Sequence, residues 1–136
     1  MRVAIFSLIA SAAFIAAVPA YGHHSFAATY DEGKSIMVDG KVIEFLYRNP
    51  HTLFSVEATD DRGNVTKWEA EWFGAGRLGR NGVTQETFQP GDRVILTGAP
   101  GRYADDHRIH LKTIVRPSDG LKYDNKSLGF PSRNPR

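Results

Sequence analysis

Between residues 65 and 72 apolar and polar side chains alternate one for one. Trp68, Ala70 and Trp72 fall on one side of an extended chain, and Lys67, Glu69 and Glu71 on the other. Successive strand side chains point to opposite faces, so the segment predicts a strand with one buried face. The two tryptophans are expected to anchor the core, and the glutamates with Lys67 to form a solvated surface. Residues 36–47 read as an earlier strand, rich in Ile, Val, Phe and Tyr, with Gly40 predicting a bulge or sharp bend. Arg48, Asn49 and Pro50 end it, because proline lacks a donor and restricts the residue before it. Residues 52–58 put Phe54, Val56 and Ala58 on one face, and the Asp60 to Asn64 stretch predicts the following hairpin turn. Further strands are expected at 93–97, after the turn Gln89-Pro90-Gly91-Asp92, and at 107–116, after a loop rich in Gly, Pro and Asp.

Between the third and fourth strands, residues 74–82 predict a turn or two of helix, and 84–88 a second helical turn capped by Thr84. The pattern is all-β: a small five-stranded OB-like barrel with a short helical insert between strands three and four. Closure removes the exposed edges of an open sheet. A two-sheet sandwich of similar strand count fits the same pattern. Residues 117–136, polar and carrying Pro117, Pro131 and Pro135, lack periodicity and predict an extended, flexible tail.

The start of the chain reads differently. Arg2 precedes an almost unbroken apolar run over 3–18, followed by the small residues Pro19, Ala20 and Gly22. This is the pattern of a secretory signal, and the run is shorter than the ~20 apolar residues of a membrane span. The expectation is a signal peptide over 1–22, cut after Ala20 or Gly22, then a barrel domain over 23–116 in the periplasm or secreted, with no stable membrane span after cleavage. The sequence has no cysteine, which excludes disulfides, a lipidated cysteine and thiolate chemistry. The formal charge of +2 includes Arg2, and so balanced a domain argues against nucleic acid or a membrane surface as its partner.

Several motifs occur in order over most of the expected mature chain: His23-His24-Ser25-Phe26-Ala27-Ala28, Asn49-Pro50-His51, Trp68-Glu69, Leu78 with Arg80 and Gly82, and Pro90-Gly91-Asp92 with Val94 and Gly98. In these the chain resembles the bacterial exported proteins of domain-of-unknown-function family 6152. It departs from the pattern at Val83, where a tryptophan is expected, and at Gly74-Ala75-Gly76, which replaces a more proline-like start to the insert. The resemblance implies an exported β protein and no particular activity.

The histidines carry the most specific chemistry. Were His23 the first residue, its amine and ring Nδ1 would chelate one metal ion and a further imidazole would complete a brace suited to copper. His51, at the proline-bounded turn, is the candidate for that imidazole, with His24 the alternative. Cleavage after Ala20 instead makes His23 third from the amine, and four nitrogens in a plane favour Cu(II) or Ni(II). The metal candidates are therefore His23, His24 and His51, with copper as the ligand. The plainer expectation is a frayed terminus with His51 bonded to a loop carbonyl. His107 and His110 lie three apart in a predicted strand and so face opposite sides; they read as solvent-facing or loop histidines. Gly74-Ala75-Gly76-Arg77-Leu78-Gly79 matches a dinucleotide fingerprint but lacks the strand-helix-strand setting; Arg77 and Arg80 offer at most an anion seat. Asp105 and Asp106 read as a hydrated turn, and Ser25 has no nucleophile elbow. The expectation is a non-catalytic binding protein, with a metal ion or a periplasmic protein as partner. The alternative is an interaction module recognising a protein, peptide or saccharide through Tyr47, Trp72 and Tyr103.

Overall fold

The computed structural model describes residues 26–128. Its strands β1 (Ile36–Leu46), β2 (Leu53–Thr59) and β3 (Val65–Glu71) form an antiparallel meander; β4 (Arg93–Pro100) pairs with β1, and β5 (Arg108–Arg116) with β4, both antiparallel. A parallel pairing of Glu69, Ala70 and Glu71 with Arg108, Ile109 and His110 joins β3 to β5 and closes the five strands into an OB-type barrel.

β1 bends because it serves two partners. Its first half pairs with β4 and its second with β2, and Lys41 pairs with both. At the changeover Gly40 lies so close to β2 that a Cβ would run into the Glu57 carbonyl oxygen. A bulge between Val42 and Glu44 completes the turn toward β2.

The alternating residues fill the interior. Phe54 and Val56, Ala70, Val94 and Leu96, and Ile109, Leu111 and Ile114 are buried, each from its strand's inward face. A fully buried side chain of this size contributes roughly 1.5–3 kcal/mol. The insert supplies a plug: α2 (Ala75–Arg80) brings in Leu78, and Val83 and Phe88 follow, all buried. Residues 84–88 form a turn, not the expected helix. Thr84 donates its own N–H to the Thr87 hydroxyl, so it is not a helix cap. Trp72 is buried as expected, but Trp68 is only partly covered, set edge to face against His107 with ring centroids 5.1 Å apart.

The flexible tail expected from Pro117 does not hold up to Leu128. Leu121–Asp124 form β6, antiparallel to the second half of β5. Asn125 accepts a hydrogen bond from Trp72 Nε1 at 3.0 Å and donates one to the Leu111 carbonyl, and Leu128 is buried. A four-residue edge strand is too short to show a hydrophobic period, although its Leu121 and Tyr123 pack against the core. Arg116 fastens this end of β5 to Asp92 and Asp119 at 3.0 and 2.7 Å. Its guanidinium holds the Asp119 carboxyl down at about 2. A depressed carboxylate pKa adds stability above the unfolded value that is lost as pH falls. By thermal unfolding, Asp119→Asn is therefore expected to lose less stability than the parent as the pH falls from about 4 to 2.

Ahead of β1 an N-terminal arm crosses the outside of the barrel. It begins with α1 (Phe26–Thr29) and continues through Tyr30, which bridges to Gly101. Arg102 holds it with a backbone bond to Thr29 and a side-chain bond to the Ala27 carbonyl, and the Asp31 N–H donates to Pro100.

Candidate functional site

The arm covers a polar patch on the outward face of β3 and β5. Ile109 and Leu111 point into the core, so His110 between them must point out, and the parallel register sets it directly opposite Glu71. Yet His110 is only 8% exposed. The cover is Phe26, whose ring stacks on the imidazole at 3.8 Å and within 4° of parallel, together with Tyr30 at 5.5 Å. The solvent-facing position read for His110 is thus wrong in its second half: the side chain faces outward, but under the arm. Glu71 is likewise half-covered rather than freely solvated, while Glu69 and Lys67 stay exposed.

Glu71 is the hinge of the patch. One carboxylate oxygen accepts the Tyr30 hydroxyl at 2.7 Å and the other stands 2.5 Å from His51 Nδ1. Burial, then the bond to Glu71, keeps the Tyr30 hydroxyl protonated far above its ordinary range. His51 lies beyond the cis Asn49–Pro50 bond, in the turn between β1 and β2. The sequence explains how that turn is held: the glycines of the insert allow close approach. Ala75 N–H donates to the Arg48 carbonyl and Gly76 N–H to Asn49 Oδ1, and a Cβ on Gly74 would collide with Pro50. Gly74 and Gly76, read as part of a chance dinucleotide match, thus seat the His51 turn. Phe26 reaches this histidine too, at a centroid distance of 5.1 Å.

His110 has its own carboxylate. Glu32 Oε1 stands 2.5 Å from His110 Nδ1, and Lys112 Nζ 2.6 Å from Glu32 Oε2 and 2.9 Å from the same Nδ1. Burial opposes ionisation of Glu32, but Lys112 and His110 together bring its carboxyl below the ordinary range. Burial also pushes the His110 imidazole below its ordinary value, against the pull of Glu32. The His110 Nδ1 thus meets the Glu32 carboxylate on one side and the Lys112 amine on the other. His51 likewise turns its Nδ1 to a carboxylate, that of Glu71. In both rings the carboxylate contact is made through Nδ1, the kind of contact that orients metal-binding histidines. Among the described residues, nothing hydrogen-bonds to either Nε2. Nor, among them, do three or more His, Asp or Glu side chains converge to hold a metal ion by themselves.

Beside the patch opens a cleft of about 470 Å³ lined by Tyr30, Arg48, Asn49, Pro50, His51, Leu53, Glu69, Glu71 and Arg108. It carries both signs of charge, with Arg108 leaning on Asp106 at 3.3 Å.

Of the metal candidates, His51 is in this patch; His23 and His24 lie outside the described residues, as does Ser25. Glu71, Glu32 and His110 were not among them. The signal for His110 was a histidine alternating with Ile109 and Leu111; what it lacked was the arm, about 80 positions earlier in the chain. His107 lies apart from His110, against Trp68. Arg77 donates to the Leu128 carbonyl and lies over the Phe73 ring at 4.3 Å, so it does not form an anion seat with Arg80. Of the aromatics proposed for recognition, Trp72 is core and Tyr47 donates to the Ala75 or Val83 carbonyl, each 2.9 Å from its hydroxyl; only Tyr103 is exposed.

Fold and patch together define a small OB-type barrel with an N-terminal arm laid over paired histidine–carboxylate groups. The chain belongs to the family of unknown function DUF6152, whose profile matches residues 11–110, as its histidine and Asn-Pro-His motifs imply. No curated protein matches the sequence. Among solved structures it is similar to the ZRD-deleted mutant of TiaS in complex with agmatine, at TM-score 0.47 and 17% identity over 69% of this chain and 26% of that one. The chain thus spans about a quarter of that protein's length.

Proposed function

We propose that the protein is exported and binds a transition-metal ion, copper by the chemistry of the donors, without catalysis. The site is the meeting point of the processed N-terminus and His51. His23 supplies its amine and imidazole, or the terminal amide nitrogens if cleavage follows Ala20, and His51 supplies Nε2. One observation carries the reading: Phe26 packs against His51. Consecutive Cα atoms are about 3.8 Å apart, so His23 and His24, three and two residues earlier, are within roughly 11 and 8 Å of Phe26 in any conformation. Imidazole and amine nitrogens without thiolates favour Cu(II) over softer ions. The anchoring of Nδ1 by Glu71 supports a ligand role for His51.

The test is a titration with Cu(II). Mature protein with its native first residue is expected to bind about one equivalent, and protein carrying a few extra residues before His23 to bind much less. Equal binding by the two forms would remove the amine from the site. Loss of binding in both on His51→Ala would still locate the metal on the barrel.

A further inference from the structure

We propose that the cleft beside the patch binds a small sugar acid, its carboxylate held by the guanidinium of Arg48 and its hydroxyl groups by Arg108 and Glu69. The inference goes beyond the metal reading and does not rest on it, because every residue it uses belongs to the barrel. At about 470 Å³ the cleft falls within the roughly 300–1,000 Å³ of small-molecule sites. Three parts of the fold meet there: the β1–β2 turn at Arg48 to His51, the outward positions Leu53 and Glu69 of β2 and β3, and Arg108, where the β4–β5 loop ends. Five-stranded barrels of this type take their ligands at that junction.

The cleft holds donors that the fold leaves unused. Arg77, Arg93, Arg102 and Arg116 each donate a hydrogen bond from the guanidinium. Among the described residues the Arg48 side chain makes neither a hydrogen bond nor an ion pair. Arg108 has only ion-pair contacts, 3.3 Å to Asp106 and 3.9 Å to Glu69. An open guanidinium is a planar fork that fits a carboxylate through two parallel N–H···O bonds. Beside it, Asn49 accepts from Gly76 through Oδ1, and its amide nitrogen has no partner among the described residues. The other lining groups select the body of the ligand. The Glu69 side chain, 54% exposed, offers an acceptor for hydroxyl groups, and Pro50 and Leu53 give an apolar wall for the C–H face of a ring. Glu69 and Glu71 together oppose a phosphate dianion or a nucleic-acid backbone, whereas one carboxylate on Arg48 leaves the signs balanced.

The experiment titrates nitrogen-15-labelled protein with D-glucuronate and D-galacturonate and follows amide chemical shifts, with EDTA present so that no metal ion bears on the result. At least one sugar acid is expected to give saturable shifts centred on His51, Leu53, Glu69 and Arg108, with D-glucose binding roughly tenfold or more weakly. Arg48→Gln is expected to bind the acid about 10- to 100-fold more weakly, the loss for a hydrogen-bonded charged group. The side chain is exposed and unpartnered, so the fold does not depend on it. Arg62→Gln, in the exposed β2–β3 hairpin, is expected to stay within about twofold of the parent. Absence of saturable shifts with either acid would overturn the proposal, as would equal losses in the two arginine variants. Tighter binding of inorganic phosphate or of oligothymidylate than of both acids would overturn it in favour of a phosphate ligand.

Discussion

Replacing Trp72 with alanine is expected to destabilise the domain by about 3–5 kcal/mol, the range for deleting a buried large aromatic. Small domains are stable by only about 5–15 kcal/mol, so this exchange alone brings the protein near the unfolding threshold at ordinary temperature. The size of the effect follows from what the ring touches. It is 1% exposed, lies 6.2 Å from Phe54 and 6.0 Å from Tyr123, and donates Nε1–H to Asn125. Alanine empties the space between barrel and β6 and strands the Asn125 oxygen at the same time. Trp68→Ala, at a partly covered position against an exposed histidine, is expected to have a distinctly smaller effect. Urea unfolding of the two variants, at constant slope, measures the difference. Equal losses would mean that the two tryptophans anchor the core alike, as the alternating pattern alone suggests.

Glu71→Ala is expected to release the arm while leaving the barrel folded. The substitution removes the acceptor of the buried Tyr30 hydroxyl, a change worth about 1–3 kcal/mol, and takes away the carboxylate that His51 Nδ1 contacts. Because Tyr30 and Phe26 belong to the arm and Glu71 to the barrel, the loss falls mainly on the contact between them. Amide exchange is expected to accelerate in α1 and at Tyr30 and Asp31 while β1, β2 and β4 keep their protection. Copper affinity is expected to fall roughly 10- to 100-fold, the usual consequence of removing a carboxylate behind a ligating histidine. Glu69→Ala, one turn of the pleat away and exposed, serves as the control and should change neither. If the arm keeps its protection in Glu71→Ala, the carboxylate is not what holds it.

The contrast between Glu69 and Glu71 shows where sequence stops being legible. Both sit on the outward face of β3, and period-2 alternation places them there correctly. Nothing within the strand tells that one of them is roofed over, because the roof is Phe26 and Tyr30, more than forty positions away. The same limit applies to His110, whose outward direction was readable and whose burial was not. Local rules served best where the partner is a neighbour in the chain: the bend at Gly40, the hairpin at residues 60–64, and the β1, β2 and β3 meander. The closed barrel and its helical insert followed from strand count and from the glycine. β6 escaped because four residues are too few to show a period; it is held by its ladder to β5, by Leu121 and Tyr123 against the core, and by the bond from Trp72 to Asn125 just beyond it, 53 residues away. The glycines before α2 were visible as a motif, but their purpose required knowing that the Asn49-Pro50 turn lies against them.

Diffraction from crystals of the processed protein grown with Cu(II), recorded on both sides of the copper absorption edge, would locate the metal ion on the molecule. One strong anomalous peak is expected at the edge of the Phe26 ring, within coordination distance of His51 Nε2 and in contact with the N-terminal histidine group. A peak elsewhere on the molecule, or none beside His51 at saturating copper, would contradict the proposed copper site.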